Sequence, residues 1–345
     1  MKAAVLKELN GPPEFDDFED PVAGEGQVVV EIAAAAIHHV DLARASGTFY
    51  LGPPPLPSVL GVDGIGRLAD GRRVFVDAAV APFGTWAQRA LVRTESLLEV
   101  ADGVEDATAA ALANSGLTAW LALSWRAPLQ PGQTVLVLGA AGAVGSVAVQ
   151  AARLLGAGRV IAAILEGERS PPGADAVVTL TPGEDWAVGF RDASGGGGAD
   201  LIIDPVWGAP ALAALKAAAP GARLVQIGNM AGETAELAAP IVRANKVDVM
   251  GHAVFHAPVE VRREGYLRMT QHAARATSRC PGRWWRSQTW RAPGKGNAPG
   301  PAPSSSSCHR PPSRNGRESN GYGQDSTTLS HIQASRVTLS ELKRD

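Results

Sequence analysis

The stretch QPGQTVLVLGAAGAVGSVAVQAARLLGA at residues 130–157 decides the fold of this chain. Its TVLVL run (134–138) is apolar without a break, which is typical of a strand covered on both faces. The glycine-rich segment GAAGAVG (139–145) follows, and then a helical pattern, SVAVQAARLL, that ends in glycines. A strand, a glycine-rich turn and a helix in this order predict one unit of a parallel sheet.

The residues on either side of this unit indicate two architectures. After it, strand-like and helix-like runs alternate, with strands predicted at 159–163, 175–179, 200–203 and 223–227 and helices at 184–192 and 209–219. Before it, short β-leaning runs are separated by Gly and Pro, at 2–6, 27–33, 59–68, 73–76 and 87–92, and an Ala-rich helix begins near 105–115. We therefore predict an α/β protein in which a small β-rich domain precedes a doubly wound parallel sheet.

The glycine-rich turn predicts a dinucleotide site. Free backbone N–H groups at the start of the following helix favour a diphosphate. Gly139 permits the tight turn, Gly142 lets the backbone approach the phosphates, and Gly145 lets the helix pack on the strand. We expect the cofactor to contact the turn at Gly139, Ala141, Gly142, Ala143, Val144 and Gly145.

The segment ILEGERSPPG (164–173) bears on which cofactor binds. An acidic residue after the second strand would hold a ribose hydroxyl, whereas a basic one would hold a 2′-phosphate. Glu166 favours NAD and Arg169 favours NADP, so the residues by themselves leave both open. We predict NADP, with NAD as the alternative. Pro171 and Pro172 also prevent a helix between the second and third strands.

Composition restricts the remaining possibilities. The chain has 345 residues, a net charge of −2 and 2 cysteines, which cannot form a disulfide scaffold or a four-thiolate zinc site. The sequence contains no run of about eighteen apolar residues, so it predicts no membrane-spanning helix. The segment MKAAVLKELNGPPEF (1–15) lacks the pattern of a secretion signal. We expect a cytoplasmic protein that does not associate with a membrane.

Residues 276–345 differ from the rest of the chain. They carry 11 basic and 4 acidic side chains, and no Val, Ile, Leu, Met or Phe occurs from 276 to 328. Such a segment cannot bury enough apolar surface to offset its chain entropy, so we predict a poorly ordered tail. It is either a basic linker able to touch nucleic acid or the product of a shifted reading frame, and we favour the frameshift. If G/C-rich codons encode residues 303–309, shifting the reading frame by one base gives KLVLVP, a strand-like segment.

The chain resembles the medium-chain dehydrogenase/reductase superfamily, in its zinc-free quinone oxidoreductase-like branch. The matching stretches occur in the same order as in the family. They are AAAIHHVDLARASGTFY (34–50), LGVDGIG (60–66), ANSGLTAWLAL (113–123), residues 130–157, GADAVV (173–178), ADLIIDPVWG (199–208) and GARLVQIGNMAG (221–232). The family ends in a helix and a strand reading roughly KLVLVP. This sequence lacks that ending, and the frame-shifted tail supplies it.

The resemblance implies an arrangement of domains. It implies a GroES-like catalytic domain at 1–115, a Rossmann domain at 116–255 and a return segment at 256–275, with the tail at 276–345 after them. It also implies a homodimer formed through the edge of the Rossmann sheet near 246–255.

The resemblance also implies site residues. Zinc-dependent relatives bind their metal at positions that correspond to His38, Val62 and Asn114, with Asp63 at an accompanying Glu position. Val62 cannot ligate zinc, so we expect no metal. For the cofactor, the further residues implied are Thr118, Asp204, Gly228 and Asn229. The candidates on the acceptor side are His38, Asp41, Tyr50 and Asn114, and each has a structural alternative as a cap, a packed side chain or a satisfied cleft residue.

The predicted function follows from the missing metal. Without a Lewis acid, hydride transfer is easiest to an activated acceptor such as a quinone or an α,β-unsaturated carbonyl. We therefore predict an NAD(P)H-dependent, zinc-independent oxidoreductase that acts on a small quinone or enone. Two alternatives stay open, a zinc-free alcohol dehydrogenase-like enzyme and a catalytically impaired remnant that still binds the nucleotide. We do not expect nucleic acid to be its partner.

Overall fold

The computed structural model describes residues 1–279 and 289–290. Its strands are β1 (Lys2–Leu6), β2 (Glu14–Asp17), β3 (Gln27–Ala36), β4 (Ser58–Val59), β5 (Gly64–Arg67), β6 (Arg73–Val76), β7 (Arg89–Arg93), β8 (Leu97–Glu99), β9 (Thr134–Val137), β10 (Arg159–Ile164), β11 (Ala176–Thr179), β12 (Ala199–Asp204), β13 (Ala218–Gln226), β14 (Asp248–Gly251) and β15 (Thr289–Trp290). Its α-helices are α1 (His39–Ser46), α2 (Asp106–Ala111), α3 (Asn114–Leu121), α4 (Ala143–Leu154), α5 (Trp186–Ala193), α6 (Gly208–Lys216), α7 (Ala239–Asn245) and α8 (Val259–Arg279). A π-helical turn at Ala122–Arg126 continues α3, and short 3-10 turns lie at Thr94–Ser96 and Val254–His256.

The first part of the chain forms the predicted β-rich domain. An antiparallel sheet contains β3, β5, β6 and β8 in that order, and β7 also pairs with β3. A second sheet has the order β2-β1-β4. The strand β15 pairs with the end of β3, with Thr289 opposite Ala36 and Trp290 opposite Ala35. The pairing therefore brings the chain after α8 back to the strand that leads into α1.

The second part is a parallel sheet of six strands in the order β11-β10-β9-β12-β13-β14. Alternate residues of each strand enter different cores, because successive side chains point to opposite faces. Val135 and Val137 pack with residues of α4, whereas Leu136 and Leu138 pack with residues of α6. Both faces are covered, which explains why TVLVL is apolar throughout. The predicted fold class is confirmed.

The connection between β10 and β11 contains no helix, as the proline pair predicted. A turn from Leu165 to Glu168 is held by the Glu168 carboxylate, which accepts from the Leu165 N–H at 2.8 Å. Pro171 and Pro172 follow and lack the N–H groups that a helix needs. This side of the sheet therefore carries a short loop beside α4.

Helix α8 joins the two parts of the molecule. Tyr266 is fully buried, stacks on Phe75 of β6 with 4.3 Å between ring centroids, and donates to the Ala109 carbonyl at 2.8 Å. Arg262 forms an ion pair with Asp77 at 2.9 Å. One continuous apolar core runs from Phe75 through Tyr266 to the first strand of the parallel sheet.

Two predicted elements are divided in the structure. The run predicted at 59–68 is two strands, β4 and β5, because Gly61 has a φ of +95° and turns the chain between them. The helix predicted at 105–115 is interrupted before Asn114, where Ala113 leaves helical geometry with a ψ of −110°. The break makes Asn114 the first residue of a new helix.

The predicted poorly ordered tail lies outside the described residues, apart from the last residues of α8 and strand β15. The frameshift and the nucleic-acid interpretation of that tail therefore stay predictions. No helix within residues 1–279 is long and apolar enough to cross a bilayer.

Candidate functional site

The glycine-rich turn follows β9 at the carboxyl edge of the parallel sheet. Gly139 has a φ of +56°, and a Cβ atom there would lie 2.8 Å from the Val206 side chain. Gly145 lies in the first turn of α4 directly against the carbonyl of Gly139, where any side chain would overlap the backbone. Gly145 requires glycine because the helix and the turn meet through their backbones, and Gly139 requires it because of its positive φ and the nearby Val206 side chain.

Helix α4 presents free amides at this turn. It begins at Ala143 with Gly142 as the preceding N-cap, and both residues are exposed. The first N–H groups of a helix have no partner within the helix, and the helix dipole makes this end partially positive. The residues predicted for diphosphate contact lie along this turn and its helix start. The cradle fits a dinucleotide, which would supply a hydride donor or acceptor when bound.

A cavity of about 210 Å³ opens beside the turn, on the side of β10. Its lining includes Ala141, Ser146 and Gln150 from the turn and α4, and Arg169 and Ser170 from the short loop. Arg169 is exposed and has no ion-pair partner in the part of the chain that is described. The cavity therefore places one unpaired positive charge beside the diphosphate cradle. Glu166 does not line it.

The carboxyl end of β12 carries Asp204, which is fully buried. One carboxylate oxygen accepts from the backbone N–H groups of Val206 (3.0 Å) and Trp207 (2.7 Å). The other oxygen has no hydrogen-bond partner among the described residues. Burial raises the pKa of Asp204 to about 6, although the two backbone hydrogen bonds oppose that shift. Asp204 thus caps a turn and keeps one buried acceptor free.

Trp207 is strained in this turn. Its φ of 57° and ψ of −158° belong to a region that glycine usually occupies. The hydrogen bond from its N–H to Asp204 holds the conformation. Its neighbour Val206 presses on Gly139, so the turn after β12 packs on the glycine-rich turn.

Gly228 and Asn229 follow β13 at the same edge. The Gly228 N–H points to the Asp204 carbonyl at 3.4 Å, and a Cβ atom at Gly228 would lie 2.6 Å from the Pro205 carbonyl oxygen. Asn229 is exposed. The ends of β12 and β13 are therefore in backbone contact.

Thr118 lies in α3, opposite the residue that follows β14. Thr118 is buried, and its carbonyl accepts a hydrogen bond from Nε2 of His252 at 3.2 Å. Sequence reasoning did not single out His252. The only signal was its place directly after the strand that ends at Gly251.

A hydrogen-bonded chain of buried side chains lies in the β-rich domain. His38 Nε2 is 3.1 Å from Asp63 Oδ1, and His38 Nδ1 is 3.0 Å from the Ser115 hydroxyl. The second oxygen of Asp63 accepts from the Asn114 N–H at 2.9 Å. His38, Asp63 and Ser115 are all less than a tenth exposed. Sequence reasoning missed Ser115 because it lies at the end of the helix predicted at 105–115, where a serine carries no catalytic signal.

Electrostatics adjust the titration of this group. Burial lowers the pKa of His38, but the charge of Asp63, its hydrogen bond and the charge of Asp41 outweigh burial, so the pKa is raised. Burial and the neighbouring Asp63 charge raise the pKa of Asp41 to about 6. The carboxylates around the ring therefore stabilise the protonated form of His38 relative to a free imidazole.

The four predicted acceptor-side residues have different positions. Asp41 is buried at the start of α1 and accepts from the His38 N–H at 2.9 Å and the Val62 N–H at 3.0 Å, which is the geometry of a cap. Asn114 takes part in the hydrogen-bonded group through its backbone N–H, which donates to Asp63. Its side chain has no hydrogen bond in the described part of the molecule. Tyr50 is 68% exposed and packs against Phe49 and Phe255. The hydrogen bonds thus connect His38, Asp41 and Asn114 but not Tyr50.

The residues at the positions implied for zinc do not fit the metal. Val62 offers no side-chain donor, and both ring nitrogens of His38 already have protein partners. Across residues 1–279 no group of three or more His, Cys, Asp and Glu side chains could hold a metal ion.

Comparisons with known proteins show which families and structures this chain is similar to. The family described as zinc-binding dehydrogenase matches residues 143–270. Quinone oxidoreductase-like protein 2 from Mus musculus is 29% identical over 269 residues, which cover 72% of this chain and 74% of that protein.

Solved structures are similar over most of the described fold. The quinone oxidoreductase of Thermus thermophilus, solved alone and with NADPH, is 32% identical, with a TM-score of 0.64 over 82% of this chain and 97% of that one. A quinone oxidoreductase of Pseudomonas syringae is 27% identical, with a TM-score of 0.69 over 80% and 89% of the two chains.

The buried Asp204 predicts a pH-dependent stability. The native state keeps a proton on this carboxyl up to about pH 6, whereas the ordinary pKa of Asp is 3.8. Its stabilising contribution is therefore complete below the lower value and is lost as pH rises through the higher one. In Asp204→Asn that loss is absent. Between about pH 4 and about pH 7 we expect the free energy of unfolding of the wild type to fall by roughly 2–3 kcal/mol relative to the variant.

Urea denaturation at several pH values measures this difference. The exposed Asp192→Asn is the matched control and should leave the pH profile of the wild type unchanged. If the curves of wild type and Asp204→Asn run parallel across the range, Asp204 does not retain its proton in the native state.

Proposed function

The chain belongs to the medium-chain dehydrogenase/reductase superfamily, in its quinone oxidoreductase-like branch, and from that premise we propose that it transfers a hydride from NADPH to a quinone or an α,β-unsaturated carbonyl without zinc. One observation carries the proposal. The region that resembles a zinc site contains instead the hydrogen-bonded chain Asp63–His38–Ser115. Relatives named quinone oxidoreductase, one of them solved with NADPH, support the proposal.

The residues of the parallel sheet would bind and orient the cofactor. The free amides at the start of α4, from Ala143 to Gly145, would hold the diphosphate, and Thr118, Asp204, Gly228 and Asn229 would face the nicotinamide half. Arg169, unpaired at the edge of the cavity, holds the 2′-phosphate and favours NADPH over NADH.

The residues of the β-rich domain would handle the proton. When hydride reaches an enone or a quinone, negative charge develops on its carbonyl oxygen. The Ser115 hydroxyl donates a proton to that oxygen and recovers one from Nδ1 of His38, while Asp63 holds the other side of the imidazole ring. Asp41 fixes the backbone that carries His38. The Asn114 amide and the Tyr50 hydroxyl are further donors for the carbonyl oxygen.

The acceptor class is tested by following NADPH oxidation. We expect turnover with benzoquinone and cyclohexenone and none when ethanol is offered with NADP⁺, because no Lewis acid would polarise the alcohol. A chain with its reading frame restored after residue 274 serves as the control for the tail. The proposal fails if neither chain binds NADPH or NADH in a fluorescence titration. Activity on ethanol would favour the alcohol dehydrogenase alternative.

Cofactor preference depends on Arg169. In Arg169→Ala we expect the Kd for NADPH to rise about 10- to 100-fold, because a charge-assisted hydrogen bond to phosphate is lost. The Kd for NADH should stay within about twofold, since NADH lacks that phosphate. The exposed Arg243→Ala controls for a general loss of positive charge. Equal losses for both nucleotides would remove Arg169 from this role.

The proton chain is tested by Ser115→Ala and His38→Gln. We expect each to lower kcat for quinone reduction about 100-fold with little change in the KM for NADPH, because general acid catalysis contributes on that scale. The exposed neighbour His39→Gln is the matched control. A rate for His38→Gln within about twofold of the wild type would overturn the assignment.

A further inference from the structure

His252 occupies the ligand-binding edge of the parallel sheet. It follows β14 directly, and its N–H donates to the Gln226 carbonyl at the end of β13. Parallel strands all end at one edge, so His252 lies at the same edge as the glycine-rich turn after β9. From β9 the sheet extends through β12 and β13 to β14 in one direction and through β10, with Arg169 in the loop after it, in the other.

This strand order gives the cofactor a direction. In the proposed function the diphosphate lies at β9 and the 2′-phosphate at Arg169, beyond β10. The nicotinamide half must then extend the opposite way, over the ends of β12, β13 and β14. His252 is therefore on the nicotinamide side of the site.

The hydrogen bonding of His252 leaves one atom free. A carbonyl oxygen can only accept, so the bond to Thr118 requires that Nε2 carry the hydrogen. Burial lowers the pKa of His252 to about 4, which keeps the ring neutral near pH 7. Nδ1 is then a bare acceptor, and it is buried without a partner among the described residues. An unsatisfied buried acceptor destabilises a fold unless a ligand completes it.

The surroundings hold this ring in place. Trp125 faces it with 6.3 Å between ring centroids, and Arg126 Nε donates to the Gly251 carbonyl at 2.9 Å. Both residues belong to the π-helical turn that continues α3, a type of distortion frequent at functional sites. His252 thus has a fixed tautomer and a fixed position, which are the properties of a preorganised acceptor.

The one other buried acceptor without a partner in the described chain is Asp204 Oδ2. It lies at the end of β12, on the same side of the site. The Asp204 carboxylate already accepts two backbone N–H groups through its other oxygen. The neutral His252 ring has no second acceptor atom, so only an external donor can satisfy Nδ1.

We infer that Nδ1 of His252 accepts a hydrogen bond from the carboxamide N–H of the bound nicotinamide ring, which makes His252 a residue that selects and orients the cofactor. This inference rests on the proposed binding of NADP(H). It gives the side chain a role that cofactor analogues can measure without turnover.

Calorimetric titration with two cofactors tests the inference. NADP⁺ carries the carboxamide, whereas its 3-acetylpyridine analogue has a methyl ketone in the same place and cannot donate. We expect the wild type to bind NADP⁺ about tenfold more tightly than the analogue, the value of one buried hydrogen bond. In His252→Leu the two affinities should become equal. His252→Gln, which keeps a donor for Thr118 and an acceptor oxygen, should restore part of the preference.

A matched probe separates the possible failures. 2′-Phospho-ADP-ribose lacks the nicotinamide ring, so its Kd should be the same in the wild type and both variants. If the wild type binds none of the three compounds, the proposed function fails. If it binds NADP⁺ and the analogue equally well, the inference is overturned even where His252→Leu does not fold. An unchanged preference in His252→Leu also overturns it.

Discussion

Helix α4 touches the turn before it through bare backbone, and the site is arranged around that contact. Gly145 lies against the Gly139 carbonyl, so the backbone at the start of the helix is in direct contact with the backbone that follows β9. The contact directs the free amides of the helix into the space above the sheet edge. A side chain at Gly145 would force the helix away from the turn and remove the cradle. The neighbouring turn after β12 depends on the same contact, because Val206 packs directly on Gly139.

Buried charge gives the molecule its second constraint. Asp41, Asp63 and Asp77 are all largely buried, His38 lies against Asp63, and the Arg262 guanidinium pairs with Asp77. Removing ions from water is costly unless they are paired and hydrogen-bonded. Here burial raises the pKa of both Asp41 and Asp77 to about 6, while neighbouring carboxylates raise that of His38. In this cluster the neighbouring carboxylates offset the cost of burying a charged imidazole, so His38 can carry the proton that the proposed reaction requires.

Two local departures from regular geometry shape the cofactor site. The short loop after β10 leaves the outer side of α4 open near Ser146 and Gln150, and the cavity beside Arg169 results from it. Trp207 adopts a backbone conformation that usually needs glycine, and the Asp204 carboxylate holds it there. Strain of this kind persists where surrounding contacts over-determine the backbone. Both departures lie at the edge of the sheet where ligands bind.

The sequence by itself determined the parallel sheet, the glycine cradle and the missing helix after β10, because each depends on local chemistry. An unbroken apolar strand, glycines at the turn and a proline pair act within a few residues of where they stand. Tertiary structure alone decided which side chains meet. Ser115 reaches His38 across 77 positions of the chain, and His252 reaches Thr118 across 134. No periodicity encodes such pairs, since they depend on how helices and strands pack. Packing likewise decides that Nδ1 of His252 is buried without a donor among the described residues.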